Sequence, residues 1–257
     1  MDDSRAARLD PELFAAGPAR DGRFVVKDRW RECSNLREGD PERETEFLHR
    51  QMNEEVNGME CAARMLADFP EIEWELQMCI ARQCYDEARH VEMFRRLYEA
   101  RGGRVGRYPV LNFQYRIITK VRDPHGRLAV QNRTFETEGV DAVEPEIEAA
   151  LVRGDHALAQ LYDAQLADEI GHVRFANEWI ARAVTQDRSV VMRIGRALDS
   201  AARAFLQVMG RHAIEGVGYA VNRAGRLEAG FSPEEVALAE ELHARKETFL
   251  RPLEDDG

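Results

Sequence analysis

The sequence predicts an all-α protein whose centre is a four-helix bundle, with a long crossover between helices 2 and 3 and extra helices after the fourth. Apolar residues recur at spacings of three and four along several long segments, as on the buried face of a helix. Two of these segments contain a Glu-x-x-His pair, Glu87 with His90 and Glu169 with His172. A hydrophobic fraction of 44% and a charged fraction of 32% are typical of a helix-rich globular chain. The length of 257 residues favours one large domain.

The first 41 residues form the N-terminal part of this predicted domain. Proline and glycine recur there without any sustained period, which predicts an irregular arm packed on the bundle. Four apolar side chains are its candidate anchors: Phe24, Val25, Val26 and Trp30. The predicted division is an arm over 1–41, a four-helix bundle over 42–186 and a C-terminal helical extension over 187–257.

The first long helix is predicted to begin near residue 42, with Asp40 as N-cap and Pro41 at its first position. Its apolar stripe advances by threes and fours after the first step: Phe47, Met52, Val56, Met59, Ala63 and Leu66. Glu60 lies inside this stripe, whereas Glu55 lies nearer its flank. A carboxylate on a core face must be paired, protonated or bound to metal, because burying it alone is too costly.

The second helix is predicted from about Glu71 to Arg101, where Gly102 follows as a stop signal. Residues 104–124 then form the crossover. A third helix is predicted over about Gly126 to Glu138, and a short piece over Glu146 to Val152 follows breaks at Gly139 and Pro145. The fourth bundle helix is capped by Asp155 and reaches Gln186. Beyond it, one helix is predicted from Val190 to about Ile214, and a last one begins at Ser232-Pro233 and reaches about Phe249.

Residues three apart lie on one face of a helix, so each Glu-x-x-His pair presents a carboxylate and an imidazole to the same point. A carboxylate-bridged pair of metal ions in a bundle needs two such pairs and one glutamate from each of two further helices. The predicted ligand set is therefore Glu60, Glu87, His90, Glu136, Glu169 and His172. Oxygen and nitrogen donors of this kind suit iron or manganese.

Two aspartates precede the paired glutamates, and they are predicted to support the ligands. Imidazoles bound to a metal usually give their other N–H to a carboxylate. Asp86 and Asp168 are each expected to reach the histidine of the opposite helix, with Arg89 as a salt-bridge partner for one of them. Glu55 is the alternative to Glu60, and Glu138 is the alternative to Glu136.

With these residues in hand, the chain resembles the ferritin-like di-iron carboxylate superfamily. Glu54 to Glu60 is similar to the first-helix motif of that superfamily, with the ligand at Glu60, and Asp86 to His90 is similar to the motif of di-iron monooxygenases. The closer likeness is to a largely uncharacterised bacterial ferritin-like family, through Phe135 to Ala142, Gly154-Asp155, Asp168 to Val173 and Asn222 through Ala229-Gly230-Phe231. The likeness spans about residues 46–235 and implies a fold and a di-metal centre more than a reaction.

Departures from better-known relatives narrow what the resemblance implies. A rubrerythrin-like peroxidase carries Cys-x-x-Cys pairs, which the four cysteines here do not form. A ribonucleotide reductase small subunit is expected to place a tyrosine four residues after the first ligand histidine, where this chain has Phe94. The arm and the extension would fit poorly in a storage cage. Extra helices over one end of a bundle instead favour a closed substrate pocket.

The functional prediction is a di-iron (or manganese, or mixed) oxidase or oxygenase that uses dioxygen to hydroxylate, N-oxygenate or desaturate a small molecule. An external reductase would supply electrons, since no flavin or dinucleotide fingerprint is present. The alternatives are a ferroxidase or peroxide scavenger without organic substrate, a transfer-RNA hydroxylase, and a non-enzymatic helical interaction module.

Composition bounds the partners and the location. A net charge of −11 disfavours broad nucleic-acid binding, and no apolar run reaches membrane-spanning length. The first residues lack the order of a signal peptide, so a cytoplasmic location is expected. A homodimer is one assembly open to such a bundle.

Overall fold

Helices make up most of the molecule, as the sequence predicts. The computed structural model describes Arg20 and residues 22–33, 36, 39–210 and 218–250, the side chains of the last four excepted. Its elements are β1 (Val26–Lys27), a 3-10 turn (Trp30–Glu32), α1 (Arg43–Asp68), α2 (Trp74–Ala100), β2 (Val110–Leu111), α3 (Phe113–Ile118), α4 (Pro124–Val130), a π-helical segment (Gln131–Glu136), α5 (Thr137–Val152), α6 (His156–Gln186), α7 (Val190–Met209), α8 (Arg223–Glu228) and α9 (Pro233–Leu250).

The helix starts follow from capping side chains that the sequence displays. The Asp155 carboxylate accepts a hydrogen bond from the Leu158 amide at 3.2 Å and so begins α6, as predicted. Ser232 and Glu235 form a reciprocal capping box at the start of α9. The predicted N-cap of α1 is wrong, because the helix begins at Arg43 with Glu42 in the cap position and no side-chain cap; Asp40 accepts from the Glu42 amide at 2.8 Å, just ahead of the helix.

Four helical segments surround the buried polar centre of the molecule. The helix α1 packs along α2, α5 packs along α6, and α2 also contacts α6. The π-helical segment contacts α6 and continues directly into α5. Apolar side chains form separate buried clusters in the same interior, for example Leu48 and Phe94 in one cluster and Leu76 and Leu128 in another.

The predicted break at Gly139 and Pro145 is wrong, because α5 runs through both residues to Val152. A proline inside a helix removes one hydrogen bond and strains the preceding turn. Pro145 is exposed, while Val140 and Val143, which lie between Gly139 and Pro145, are buried in the core. Packing of α5 along α6 therefore maintains the helix across the proline.

The arm and the later helices pack against the bundle. The strands β1 and β2 pair in parallel, with Val26 opposite Val110, and so attach the arm to the crossover. This short sheet is absent from the sequence prediction. The helix α7 packs on α3 and α4, and α8 packs on α5 and α6. Residues 1–19 and 211–217 lie outside the described residues, and so does the predicted end of a helix near Ile214. Among the described residues, no helix is long and apolar enough to cross a bilayer.

Candidate metal centre

Two overlapping groups of acidic and imidazole side chains lie at the centre of the bundle. Among the described residues, the first group is Glu55, Glu87, His90 and Glu169, and the second is Glu87, Glu136, Glu169 and His172. Within each group, one potential ligand atom per residue lies within 4.8 Å of all the others, and every residue is buried. Glu87 and Glu169 belong to both groups. This arrangement can hold two neighbouring metal ions with two shared carboxylates.

His90 is held between the centre and a carboxylate of the opposite helix. Its Nδ1 lies 3.0 Å from Glu55 Oε2, and its Nε2 lies 2.9 Å from Asp168 Oδ2 on α6. Asp168 also pairs with Arg89 of α2. A carboxylate can only accept hydrogen bonds, so Asp168 keeps a proton on Nε2 and leaves Nδ1 as the nitrogen that faces the centre.

His172 has a similar but looser arrangement on the other helix. Its Nδ1 lies 3.4 Å from Glu87 Oε1, and its Nε2 lies 3.6 Å from Asp86 Oδ2 on α2. Arg82 donates to Asp86 at 2.7 Å. Both aspartates thus lie where the sequence analysis placed them, against the imidazole of the opposite helix.

Side-chain amides hold the glutamates of the centre in place. Gln83 Nε2 lies 3.2 Å from both Glu87 and Glu136, and Gln165 Nε2 lies 2.9 Å from Glu55. Each glutamine stands one helical turn before a glutamate of its own helix, a repeat that the sequence shows in both halves. These amides are neutral, so they orient the carboxylates but do not balance their negative charge.

Glu136 reaches the centre from the π-helical segment. In an α-helix, residues five apart point about 140° away from each other. Here Gln131 Nε2 donates to Glu136 Oε1 at 2.6 Å, because the wider turn brings residues five apart onto one face. Such turns occur often at functional sites. The apolar spacing of the sequence gives no sign of this turn.

The structure corrects the placement of Glu60, which belongs to neither group. Its carboxylate is paired with the Arg20 guanidinium at 2.6 Å, and Arg20 also donates to Asn57 at 3.0 Å and to Asn53. Glu55, the alternative that the apolar stripe disfavoured, occupies the place in the centre. Glu138, the alternative to Glu136, lies outside both groups.

The stripe failed because α1 is buried on more than one side. Asn53 and Asn57 are completely buried and donate to the Leu111 carbonyl of the crossover, so α1 has a second, polar buried face. The residue that marks the face of α1 turned toward the metal centre is Gly58. A Cβ at this position would lie 2.9 Å from Glu87 Cδ, so only glycine allows the close approach of α1 to the ligands of α2. Glu55 is three residues before Gly58 and shares its face.

Burial and mutual repulsion keep protons in the centre. Burial raises the pKa of Glu87 to about 7, and the charge of Glu136 contributes. Burial likewise raises the pKa of Glu169 well above its usual range. The pKa of His90 rises to about 11, because hydrogen bonds and charges of the neighbouring carboxylates outweigh the lowering by burial. The pKa of His172 also rises despite its burial, because carboxylates lie 3.4 to 3.8 Å from its ring nitrogens. Any metal ion that binds here must displace these protons.

Unpaired polar atoms at the centre fit a metal ion better than a purely structural network. Glu169 Oε2 and His172 Nδ1 are buried and have no hydrogen-bond partner among the described residues. A buried polar atom without a partner is costly, and a bound cation would satisfy both. Four carboxylates would offset the charge of two divalent ions. Oxygen and imidazole donors without thiolate suit iron or manganese.

A cavity of about 690 Å³ adjoins the centre. Glu55, Glu87, Glu136 and Glu169 all lie in its wall, together with residues of the 3-10 turn, the crossover, α7 and α9. Its size is in the range of small-molecule sites. An organic molecule in this cavity would lie directly beside the metal-binding side chains.

Comparison with known proteins identifies a family but no activity. An uncharacterised protein of Haemophilus influenzae (strain ATCC 51907 / DSM 11121 / KW20 / Rd) is 26% identical over 125 residues, which cover 49% of this chain and 40% of that protein. The match thus spans well under half of the relative's length. No solved structure matches this chain. A family described as protein of unknown function (DUF455) matches residues 3–237. The chain therefore belongs to this DUF455 family.

Proposed function

We propose that this protein is a di-iron (or iron and manganese) oxidoreductase of ferritin-like architecture that uses dioxygen to oxidise a small organic molecule. The observation that carries the proposal is the pair of overlapping groups sharing Glu87 and Glu169, whose carboxylates line a cavity large enough for a substrate. When bound, the two ions would supply dioxygen reduction next to that cavity.

Each side chain of the centre would have a defined role in holding the two ions. Glu87 and Glu169 would be shared by the two ions, while Glu55 with His90 and Glu136 with His172 would each complete one site. The outer aspartates fix which imidazole nitrogen faces the ions. A hydroxylation places one oxygen atom in the substrate and reduces the other to water, with two electrons and two protons from outside. An external electron donor is therefore part of the proposal.

The test is to load the purified chain with Fe²⁺ under nitrogen, measure bound iron by mass spectrometry, and then follow dioxygen consumption. We expect about two irons per chain, as the two groups predict. Dioxygen uptake should stop after one turnover unless a reductant such as dithionite-reduced ferredoxin is added.

Two other outcomes would overturn the proposal. Uptake of many irons per chain with continuous oxidation would favour ferroxidase activity. Absence of bound transition metal would favour a helical interaction module with a polar core. The cytoplasmic location, the homodimer and the lack of broad nucleic-acid binding stay predictions of the sequence.

A further inference from the structure

The outer face of α2 carries large apolar side chains that the fold leaves uncovered. Trp74 and Tyr85 are 67% and 66% exposed, and Met78 between them is exposed as well. Single apolar residues are common on protein surfaces, but a group of large ones on one face is typical of an interaction site. Tryptophan and tyrosine are also among the residues that contribute most to protein interfaces. This face of α2 therefore has the composition of an interface.

The spacing of these residues is that of a seam between two helices. Trp74, Met78, Ala81 and Tyr85 follow one another at intervals of four, three and four residues, so they form one stripe along the helix. The stripe is about 16 Å long at 1.5 Å per residue. The small alanine among larger residues leaves room for a side chain from a facing helix. A second helix packed lengthwise on α2 fits this pattern.

Charged residues border the apolar stripe on one side. Glu75, Arg82 and Arg89 stand seven residues apart, and intervals of seven bring helical residues to the same side. Glu75 is exposed, and the side chains of Arg82 and Arg89 are 68% and 38% exposed. Both arginines pair with Asp168 of α6, so this border lies between α2 and α6. The border is thus acidic at the N-terminal end of the stripe and basic toward its other end.

The stripe and its border are complementary to a second copy of themselves. If two α2 helices pack in opposite directions around a two-fold axis at the middle of the stripe, Trp74 of one copy lies opposite Tyr85 of the other. Met78 then lies opposite Ala81. The two-fold axis also brings the same border of each helix together, so Glu75 of each copy faces the arginine end of the other. An interface of this symmetry uses the same patch on both molecules, and every contact occurs twice.

The charges distinguish this orientation from a parallel one. In a parallel pair, the charged border of one helix would meet the opposite border of the other, which carries Gln77 and Cys84. Neither side chain is charged at neutral pH, and burial raises the pKa of the Cys84 thiol further. Arg82 would therefore meet no counter-charge there. Charges at the rim of an interface add little affinity, but they set its register and orientation.

We propose that this face of α2 is an antiparallel homodimer interface, built on Trp74 against Tyr85 and on Glu75 against Arg82. The inference goes beyond the proposed function and does not depend on bound metal. The second copy would cover the arginines that pair with the two aspartates beside the histidines of the centre. Assembly would thus shield the outer supports of both candidate metal sites from solvent.

Sedimentation velocity of the full chain tests the assembly. The wild-type chain should sediment as a dimer, with a dissociation constant of about 1 μM or lower. Met78→Glu should raise this constant at least about 100-fold, because it places two carboxylates close together inside an apolar seam. Met192→Glu on the exposed side of α7 is the matched control and should remain a dimer. Circular dichroism verifies that both variants keep their helices.

An exchange of charges tests the orientation. Glu75→Arg and Arg82→Glu should each weaken their own dimers by roughly 3–10-fold, because like charges then face each other. When the two variants are mixed in equal amounts, every arginine of a mixed dimer again faces a glutamate. Native mass spectrometry should therefore show mixed dimers well above the half that random pairing gives.

Three results would overturn the proposal. A wild-type chain that is still monomeric at about 100 μM would leave the stripe to a different protein. Dissociation by Met192→Glu, with Met78→Glu still a dimer, would place the interface on another face. Mixed dimers at the random half would exclude the antiparallel register. These results leave the metal centre untouched, because iron loading tests it separately.

Discussion

Glu55 and Glu60 differ by five positions on one regular helix, and this offset decides what each carboxylate does. Glu55 lies 3.0 Å from His90, whereas Glu60 is paired with Arg20. Losing a residue that only supports a metal ligand typically lowers metal affinity roughly 10–100-fold. We expect Glu55→Gln to weaken the binding of one metal ion by more than this, because a charged ligand oxygen is itself lost. Metal titration against a chelating dye measures this.

The matched variant Glu60→Gln should keep the metal content and lose stability instead. Arg20 is buried beside it, and leaving that guanidinium without its carboxylate should cost roughly 1–3 kcal/mol in urea unfolding. Equal metal loss in the two variants, or loss only in Glu60→Gln, would show that the assignment of Glu55 to the centre is wrong.

Asp168 and Asp86 act through the histidines, and their distances rank them. The Asp168 contact with His90 is 2.9 Å, whereas Asp86 lies 3.6 Å from His172. Asp168→Asn should lower metal affinity about 10–100-fold, because an amide no longer holds the proton on Nε2, and Asp86→Asn should lower it less. Asp163→Asn, an exposed position on the same helix, should have no effect. The same chelator titration decides the order.

At the scale of the element, the close approach of α1 to α2 depends on Gly58. An added methyl group would lie 2.9 Å from the Glu87 carboxylate, so Gly58→Ala should displace a shared ligand and lower the metal content. It should also destabilise the chain, although alanine is the better helix former. Gly195→Ala on α7 is the control, because nothing lies within 4 Å of the added atom.

The control should be neutral or raise the free energy of unfolding by about 0.5–1 kcal/mol, the ordinary gain from replacing glycine inside a helix. Thermal unfolding together with bound-metal analysis compares the two alanine variants. If Gly58→Ala behaved like Gly195→Ala in both measurements, the tight packing of α1 on α2 would not govern the centre.

The extent of each helix was predictable where local chemistry decides it. The caps at Asp155 and Ser232 satisfy amides of their own helix, so the sequence alone shows them. The continuation of α5 through Pro145 depends on α6, and the π-helical turn depends on the ligands that it brings together. Neither has a periodic signal in the sequence, because in both cases tertiary packing outweighs local preference.

At the scale of the whole molecule, the sequence predicted a polar centre inside an apolar bundle, and five of its six proposed ligands lie there. The paired Glu-x-x-His motifs sufficed for Glu87, His90, Glu169 and His172, because their spacing fixes a common face. The sixth ligand was misplaced because Arg20 comes from the arm. Contacts between segments far apart in sequence leave no trace in the period of either one.

The buried centre also predicts how stability depends on pH. Glu87 and His90 have pKa values of about 7 and about 11, above their ordinary values of 4.5 and 6.5. A raised pKa means that, between the ordinary and the raised pKa of a group, the folded metal-free chain binds more protons than the unfolded chain. Its free energy of unfolding should therefore fall as pH rises. Glu87 contributes to this fall between about pH 4.5 and 7, and His90 contributes above about pH 6.5.

Metal ions should abolish this loss, because bound ligands are already deprotonated and the ions replace the protons. Urea unfolding at pH 6.5 and pH 9 should show the metal-free chain less stable at pH 9 and the Zn²⁺-loaded chain not destabilised by the change. The Glu55→Gln variant should show a smaller loss, since Glu55 is among the groups that raise the pKa of His90. A metal-free chain that gained stability between these pH values would contradict a proton-holding centre, and with it the exchange of protons for metal ions on which the proposed function depends.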